Sequence, residues 1–134
     1  MTADHDWAVG RLAHVQGVRH AVLCSVDGLL RAKSEGIGQE EADRLSARCS
    51  GLLSLARDQA GEFGTGEKAL YQLMVGHEGG YLFVRSAAAR SCLAVVTEPV
   101  INAALIAQEM QAMVLKLGEQ ILATPARGSG AAPE

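Results

Sequence analysis

The sequence predicts a mixed α/β (α+β) fold in the order α-β-β-α-β-β-β-α, a five-stranded, mainly antiparallel sheet sandwiched between helices on both faces. Three observations carry this reading. The stretch Gln39–Phe63, QEEADRLSARCSGLLSLARDQAGEF, places apolar residues at helical spacing along one long helix. Asp27-Gly28 stands between two apolar runs, a strong short-range hairpin signal. The later runs Lys68–His77, Tyr81–Ala87 and Ser91–Thr97 are apolar on both sides instead of alternating. Such strands need cover on both faces of their sheet.

In chain order, Asp6–Val15 reads as a short first helix, capped by Asp6, with Trp7, Leu12 and Val15 as its apolar members and Gly17 at its end. Val18–Ser25 is the first strand and Leu29–Ser34 its hairpin partner, with positive φ expected at both Asp27 and Gly28. Gly36 and Gly38 break the chain before the long helix. Glu40, Glu41 and Asp43 then lie in its first turns, where the helix dipole favours negative charge. On a helical wheel, Ala42, Leu45, Cys49, Leu52, Ala56 and Phe63 form the core stripe. Beside it, Ser46, Ser50 and Ser54 recur every four residues, a row of small side chains that a second helix could approach closely. Glu78-Gly79-Gly80 makes a tight turn between the third and fourth strands. Pro99 opens a closing helix, Val100–Leu122, whose stripe is Val100, Ala103, Ile106, Ala107, Met110, Met113, Val114, Leu117 and Ile121, with the methionines as core packing. The domain spans 6–123, and Thr124–Glu134 is a disordered tail.

Composition narrows the function. A chain of 134 residues, 49% of them hydrophobic, suits one domain with a real core. A net charge of −3 and 4% aromatic residues give neither the electrostatic footprint nor the stacking platforms of a nucleic-acid binder. Cys24, Cys49 and Cys92, an odd number without CxxC spacing, argue against a disulfide framework or a zinc site and fit a reducing cytoplasm. The N-terminus MTADHDWAVGR is acidic and lacks the apolar centre of a signal peptide. Val100–Leu122 is interrupted by Asn102, Gln108, Glu109, Gln111, Lys116 and Glu119, so no direct membrane insertion is expected.

No catalytic, cofactor-binding or metal-binding set emerges. Gly61–Lys68, GEFGTGEK, is close to a GxxxxGK phosphate loop, but Glu67 intrudes before Lys68, and Ala69 replaces the hydroxyl residue. It also leaves a helix and opens a strand, the reverse of the order that points a helix N-terminus at phosphate. His5, His14, His20 and His77 have no ligand spacing. Cys24 would be a nucleophile only with a histidine beside it; as a buried residue it behaves as a small hydrophobe. Arg44, Arg48 and Arg57 lie on the long helix and suit contact with an acidic partner. An enzyme is therefore not expected.

The hairpin GVRHAVLCSVDGLLRA, the helix ADRLSARCSGLLSLA, the strand GGYLFV and the strand SCLAVV before a terminal helix together resemble the roadblock/LC7 domain family, over about Asp6–Leu122. The likeness is greatest to the stand-alone actinobacterial type encoded beside a small Ras-like GTPase in signalling clusters. The resemblance implies a homodimer whose third strands pair across the interface and whose long helices lie side by side. Small GTPases dock on that platform; some bacterial members stimulate hydrolysis and others only scaffold. It implies interface or partner-binding roles for Asp43, Ser46, Ser50, Leu53, Ser54, Arg57, Lys68, Leu70, Gln72 and Met74, and a GTPase platform at Arg44, Ala47, Arg48 and Gly51. A sensor-kinase-like protein of the same cluster is a further expected partner, in the cytoplasm or at a membrane reached through partners. The alternatives are a purely structural scaffold and a small-molecule sensor.

Overall fold

The computed structural model describes residues 3–63 and 72–123. Its elements are α1 (Ala3–Ala13), β1 (Val18–Ser25), β2 (Leu30–Lys33), α2 (Gln39–Phe63), β3 (Leu73–His77), β4 (Gly80–Ala87), β5 (Ser91–Thr97) and α3 (Ala103–Ala123). The five strands form one sheet in the order β2-β1-β5-β4-β3, and every neighbouring pair is antiparallel. The expected element order and sandwich are therefore observed. The expected tail 124–134 and the segment 64–71, which contains most of the glycine loop and the start of the expected third strand, lie outside the described residues.

The two-faced apolar strands create two cores. Ala21 and Leu23 of β1, Phe83 of β4 and Leu93 and Val95 of β5 pack against Ala8, Val9 and Leu12 of α1 and Ile106, Met110, Met113 and Leu117 of α3. The alternate residues Val22, Cys24, Val84, Cys92 and Ala94 face the other way, toward Ala42, Leu45, Cys49 and Leu53 of α2. Two helices thus cover one face and one helix covers the other. The period of two along each strand divides the residues between the layers.

Local chemistry sets the element ends. Asp6 lies inside α1, which starts earlier than expected, so it is not the cap. α3 begins at Ala103 because Asn102 caps it: its Oδ1 accepts the Leu105 N–H at 3.0 Å and its carbonyl the Ile106 N–H at 3.1 Å. Val100, placed on the core stripe by periodicity, precedes that cap and is 90% exposed. The β1–β2 turn needs positive φ only at Gly28 (φ 93), not at Asp27. The Gly28 N–H donates to the Ser25 carbonyl at 2.9 Å and the Ser25 N–H to the Leu29 carbonyl at 2.8 Å, the three-residue hairpin pattern instead of the two-residue one. At Gly80 (φ 142), any Cβ would collide with the Thr97 carbonyl, so only glycine lets β4 begin there.

The core face of α2 differs from the wheel expected from sequence. Its buried residues are Ala42, Leu45, Ser46, Cys49 and Leu53. Leu52 is only half-buried, and Phe63, assigned to the stripe, is 82% exposed. At 100° per residue the buried arc is turned by about 40° from the expected one, so that Leu53 replaces Leu52 at its centre. Leu53→Ala should therefore destabilise the fold by about 2–5 kcal/mol, and Leu52→Ala by distinctly less. Chemical denaturation of the two variants checks this; an equal or reversed order would contradict the helix orientation.

Candidate functional site

The rotation of α2 decides which of its residues can meet another molecule. Ser46 and Leu53, expected at an interface, are at 0% and 2% exposure within their own chain, where the sheet takes the surface they would offer. Ser50 is half-buried, and its hydroxyl donates to the Val26 carbonyl at 2.7 Å. A Cβ on Gly28 would lie 3.4 Å from Ser50 Cβ and Ala47 Cα, so the hairpin turn sits close against this part of α2. The row Ser46/Ser50/Ser54 is therefore not an open seam: its first member is core, its second holds the β1–β2 turn, and only Ser54 is exposed.

The exposed face of α2 lies on the opposite side of the wheel from the core arc. Arg44, Ala47, Arg48, Gly51, Ser54 and Asp58 are all exposed along it. Leu55, a residue the sequence reading passed over, stands among them with 69% of its surface exposed. Its signal was available: Leu55 is four residues from Gly51 and seven from Arg48, outside the core spacing. A side chain added at Gly51 would meet nothing within 4 Å. Arg44 approaches Glu40 at 4.0 Å across solvent, too loose a pair to hold it. Asp43 accepts from Gln39 Nε2 at 3.1 Å.

Other expected contact residues are committed within the chain. Arg57 donates to Ser86 Oγ at 2.8 Å, tying α2 to β4. Gln72 accepts from Arg85 Nε at 3.1 Å, and Arg85 also donates to Gln111 at 2.6 Å. Met74, on the edge strand β3, is 51% exposed. Lys68 and Leu70 lie outside the described residues. Val26, Asp27, Ser50, Ser54, Arg57, Asp58 and Arg90 surround a surface concavity of about 340 Å³ at one end of this face. Beside it, Ala89 (φ 58) and Arg90 (φ 57) adopt left-handed backbone, and the Arg90 carbonyl accepts the Val26 N–H at 2.9 Å.

The α2 side of the sheet is unevenly covered. α2 lies chiefly over β1 and β2. Toward the other end of the sheet, Leu73, Leu82 and Val96 are only partly buried against that core. Beneath α2 the three cysteines, distant in sequence, come together: Cys24 Sγ lies 3.1 Å from Cys92 Sγ, and Cys49 and Ser46 also act on Cys24. No histidine is among the groups acting on Cys24. His14 Nδ1 meets the Gly10 carbonyl at 2.7 Å and His77 Nδ1 accepts from the Gly79 N–H at 3.1 Å. Among the described residues no group of three or more His, Cys, Asp or Glu is placed to hold a metal ion, and no helix is long and apolar enough to cross a membrane.

A sequence profile of the Roadblock/LC7 domain matches residues 6–97. The chain is similar to the crystal structure of a Roadblock/LC7 domain from Streptomyces avermitilis, at 32% identity and a TM-score of 0.78, covering 87% of this chain and 97% of that one. It shares its fold with Myxococcus xanthus MglB (13% identity, TM-score 0.80, 90% of each chain). It also shares it with the gliding protein MglB from Thermus thermophilus (16% identity, TM-score 0.70, 85% of this chain and 87% of that one). No curated protein sequence matches.

Because Ser50 belongs to the chain's own packing, Ser50→Ala should lower unfolding free energy by about 0.5–1.5 kcal/mol through loss of its bond to Val26. Ser50→Arg should cost more by forcing the hairpin turn away, so it would not report on association alone. Urea unfolding of both variants checks the order; stability equal to wild type in both would mean that the Ser50–Val26 contact contributes nothing.

Proposed function

We propose a function for this chain from one premise: it belongs to the Roadblock/LC7 domain family. The chain is a dimeric binding module that docks a small Ras-like GTPase and regulates it within a bacterial signalling complex, acting through surfaces and not through a catalytic group of its own. The observation that supports this most is the outer face of α2, where Leu55 stands exposed among Arg44, Arg48 and the open Gly51. A glycine in a helix interior costs about 0.8–1.0 kcal/mol relative to alanine. Nothing within the described chain requires the bare backbone at Gly51. Close approach of a second helix gives it a purpose.

Two further features agree. Leu73, Leu82 and Val96 are partly buried on the side of the sheet that α2 leaves open, and α2 of a second copy would cover them. β3 is an edge strand with Met74 exposed, and an unpaired apolar edge is a hazard that strand pairing between two copies removes. In this arrangement Ala47, Gly51 and Ser54 form the seam between the helices, and Arg44, Arg48 and Leu55 face the GTPase. The arginines match an acidic surface and set its orientation, while Leu55 supplies the apolar contact.

The test uses a purified small Ras-like GTPase from the same cell, loaded with GTP. Leu55→Glu should abolish its binding in pull-down and calorimetry while leaving the unfolding midpoint unchanged, since the residue is exposed. Arg44→Ala and Arg48→Ala should weaken binding, but neither alone should remove stimulated hydrolysis at saturating regulator, because both sit on a rigid helix and not on an insertable loop. Undiminished binding by Leu55→Glu would sink the platform. Binding with unaltered single-turnover hydrolysis would make the module a scaffold.

A further inference from the structure

The cysteines beneath α2 form an arrangement that packing alone does not call for. Cys24 of β1 and Cys92 of β5 are direct register partners in the antiparallel ladder, and their sulfurs are 3.1 Å apart. Opposite residues in such a ladder have Cα atoms about 4.5–5.5 Å apart. That lies within the span of about 4.4–6.8 Å that a disulfide bridges, so bond formation needs the sulfurs to close by about 1 Å with no movement of strands. Cys49 approaches from α2, and all three are free thiols at 0% exposure.

The surroundings distinguish the three sulfurs. Contact with the Cys49 and Cys92 thiols, with the positive charge of Arg31 nearby, lowers the Cys24 thiol despite burial. Cys49 and Cys92, each in contact with Cys24 and desolvated, are pushed up. The Ser46 hydroxyl beside these thiols is fully buried and has no hydrogen-bond partner among the described residues. The Cys24 and Cys92 sulfurs are thus in direct contact, so that one can attack an oxidant and the other resolve it. The β1–β2 ladder shifts register between Leu23 and Cys24, an irregularity at which local opening would admit a small oxidant.

We propose that Cys24 and Cys92 are a peroxide-oxidised modification site, closing to a reversible cross-strand disulfide while Cys49 remains a thiol. The Cys24 thiolate attacks one oxygen of hydrogen peroxide; the O–O bond breaks, and the departing hydroxide takes up the proton that Cys24 had released, leaving Cys24 as sulfenic acid and one water. The Cys92 sulfur then attacks the Cys24 sulfur, the S–O bond breaks, and the leaving hydroxide takes the Cys92 proton as a second water. Two thiols lose two electrons and one peroxide gains them. The bond forms directly under Cys49 of α2, the helix whose outer face is exposed for partners.

The full chain, reduced and then treated with dilute hydrogen peroxide while its far-UV circular dichroism is followed, should lose about 2 Da in intact mass with its dichroism unchanged. Tryptic mapping without reductant should join peptide 20–31, carrying Cys24, to peptide 91–116, carrying Cys92, with peptide 49–57 still alkylatable. Dithiothreitol should restore both thiols, and Cys49→Ser should give the same link. A bulky aromatic disulfide reagent should leave the folded protein unreacted. Free thiols at all three positions after peroxide, linkage of 20–31 to 49–57, links only between chains, or oxidation only on unfolding would each overturn the proposal. Cys92→Ser should stop at a trappable sulfenic acid on Cys24; an unmodified Cys24 in that variant would remove its role as the attacking sulfur.

Discussion

A sheet that is apolar on both faces must be covered on both, and the described residues supply two helices for one face and one for the other. Most of the molecule follows from that inequality. Burying apolar surface is worth about 25 cal/mol per Å², so strands such as β4 and β5 cannot leave either side wet without loss. α1 and α3 close their side with Leu12, Ile106, Met110 and Met113 over Phe83 and Leu93. On the other side α2 covers β1 and β2, and the cover thins beyond them, where Val96 of β5, Leu82 of β4 and Leu73 of β3 stay half-buried.

The same constraint fixes what α2 presents outward. Its inner arc is fully used: Ala42, Cys49 and Leu53 fill the core, Ser50 holds the hairpin turn, and Arg57 binds Ser86. What remains is an outer face on which a bare glycine, two arginines and a leucine stand beside Ala47, Ser54 and Asp58. In our reading, a second copy completes the thinly covered sheet and the paired helices become a surface for a partner, so that association is a consequence of incomplete burial and not an addition to a finished fold.

Much of this was legible in the residues. The bounds of α2 agree with the sequence expectation because a long apolar period with acidic residues in its first turn leaves little choice. Its facing was not legible to better than about 40°, since Leu52 and Leu53 are both leucine, and periodicity cannot say which one the sheet claims. Ser46 misled for a related reason: small side chains every four residues suit a helix seam and equally suit close packing on a sheet. The start of α3 was misplaced because Pro99 satisfies one helix-start rule and Asn102 another, and the cap with a side-chain acceptor prevailed. The thiol cluster could have been suspected from the even-numbered face that Cys24 shares with Val22, but the pairing of β1 with β5, which joins cysteines 68 residues apart, is a tertiary fact.

The claim on which the functional account rests is that the α2 side of the sheet is finished by a second copy of the chain. Sedimentation equilibrium of the unmodified protein over micromolar concentrations tests it most directly. The account predicts a mass twice the 14.0 kDa of one chain. A constant mass of 14.0 kDa over that range would contradict it.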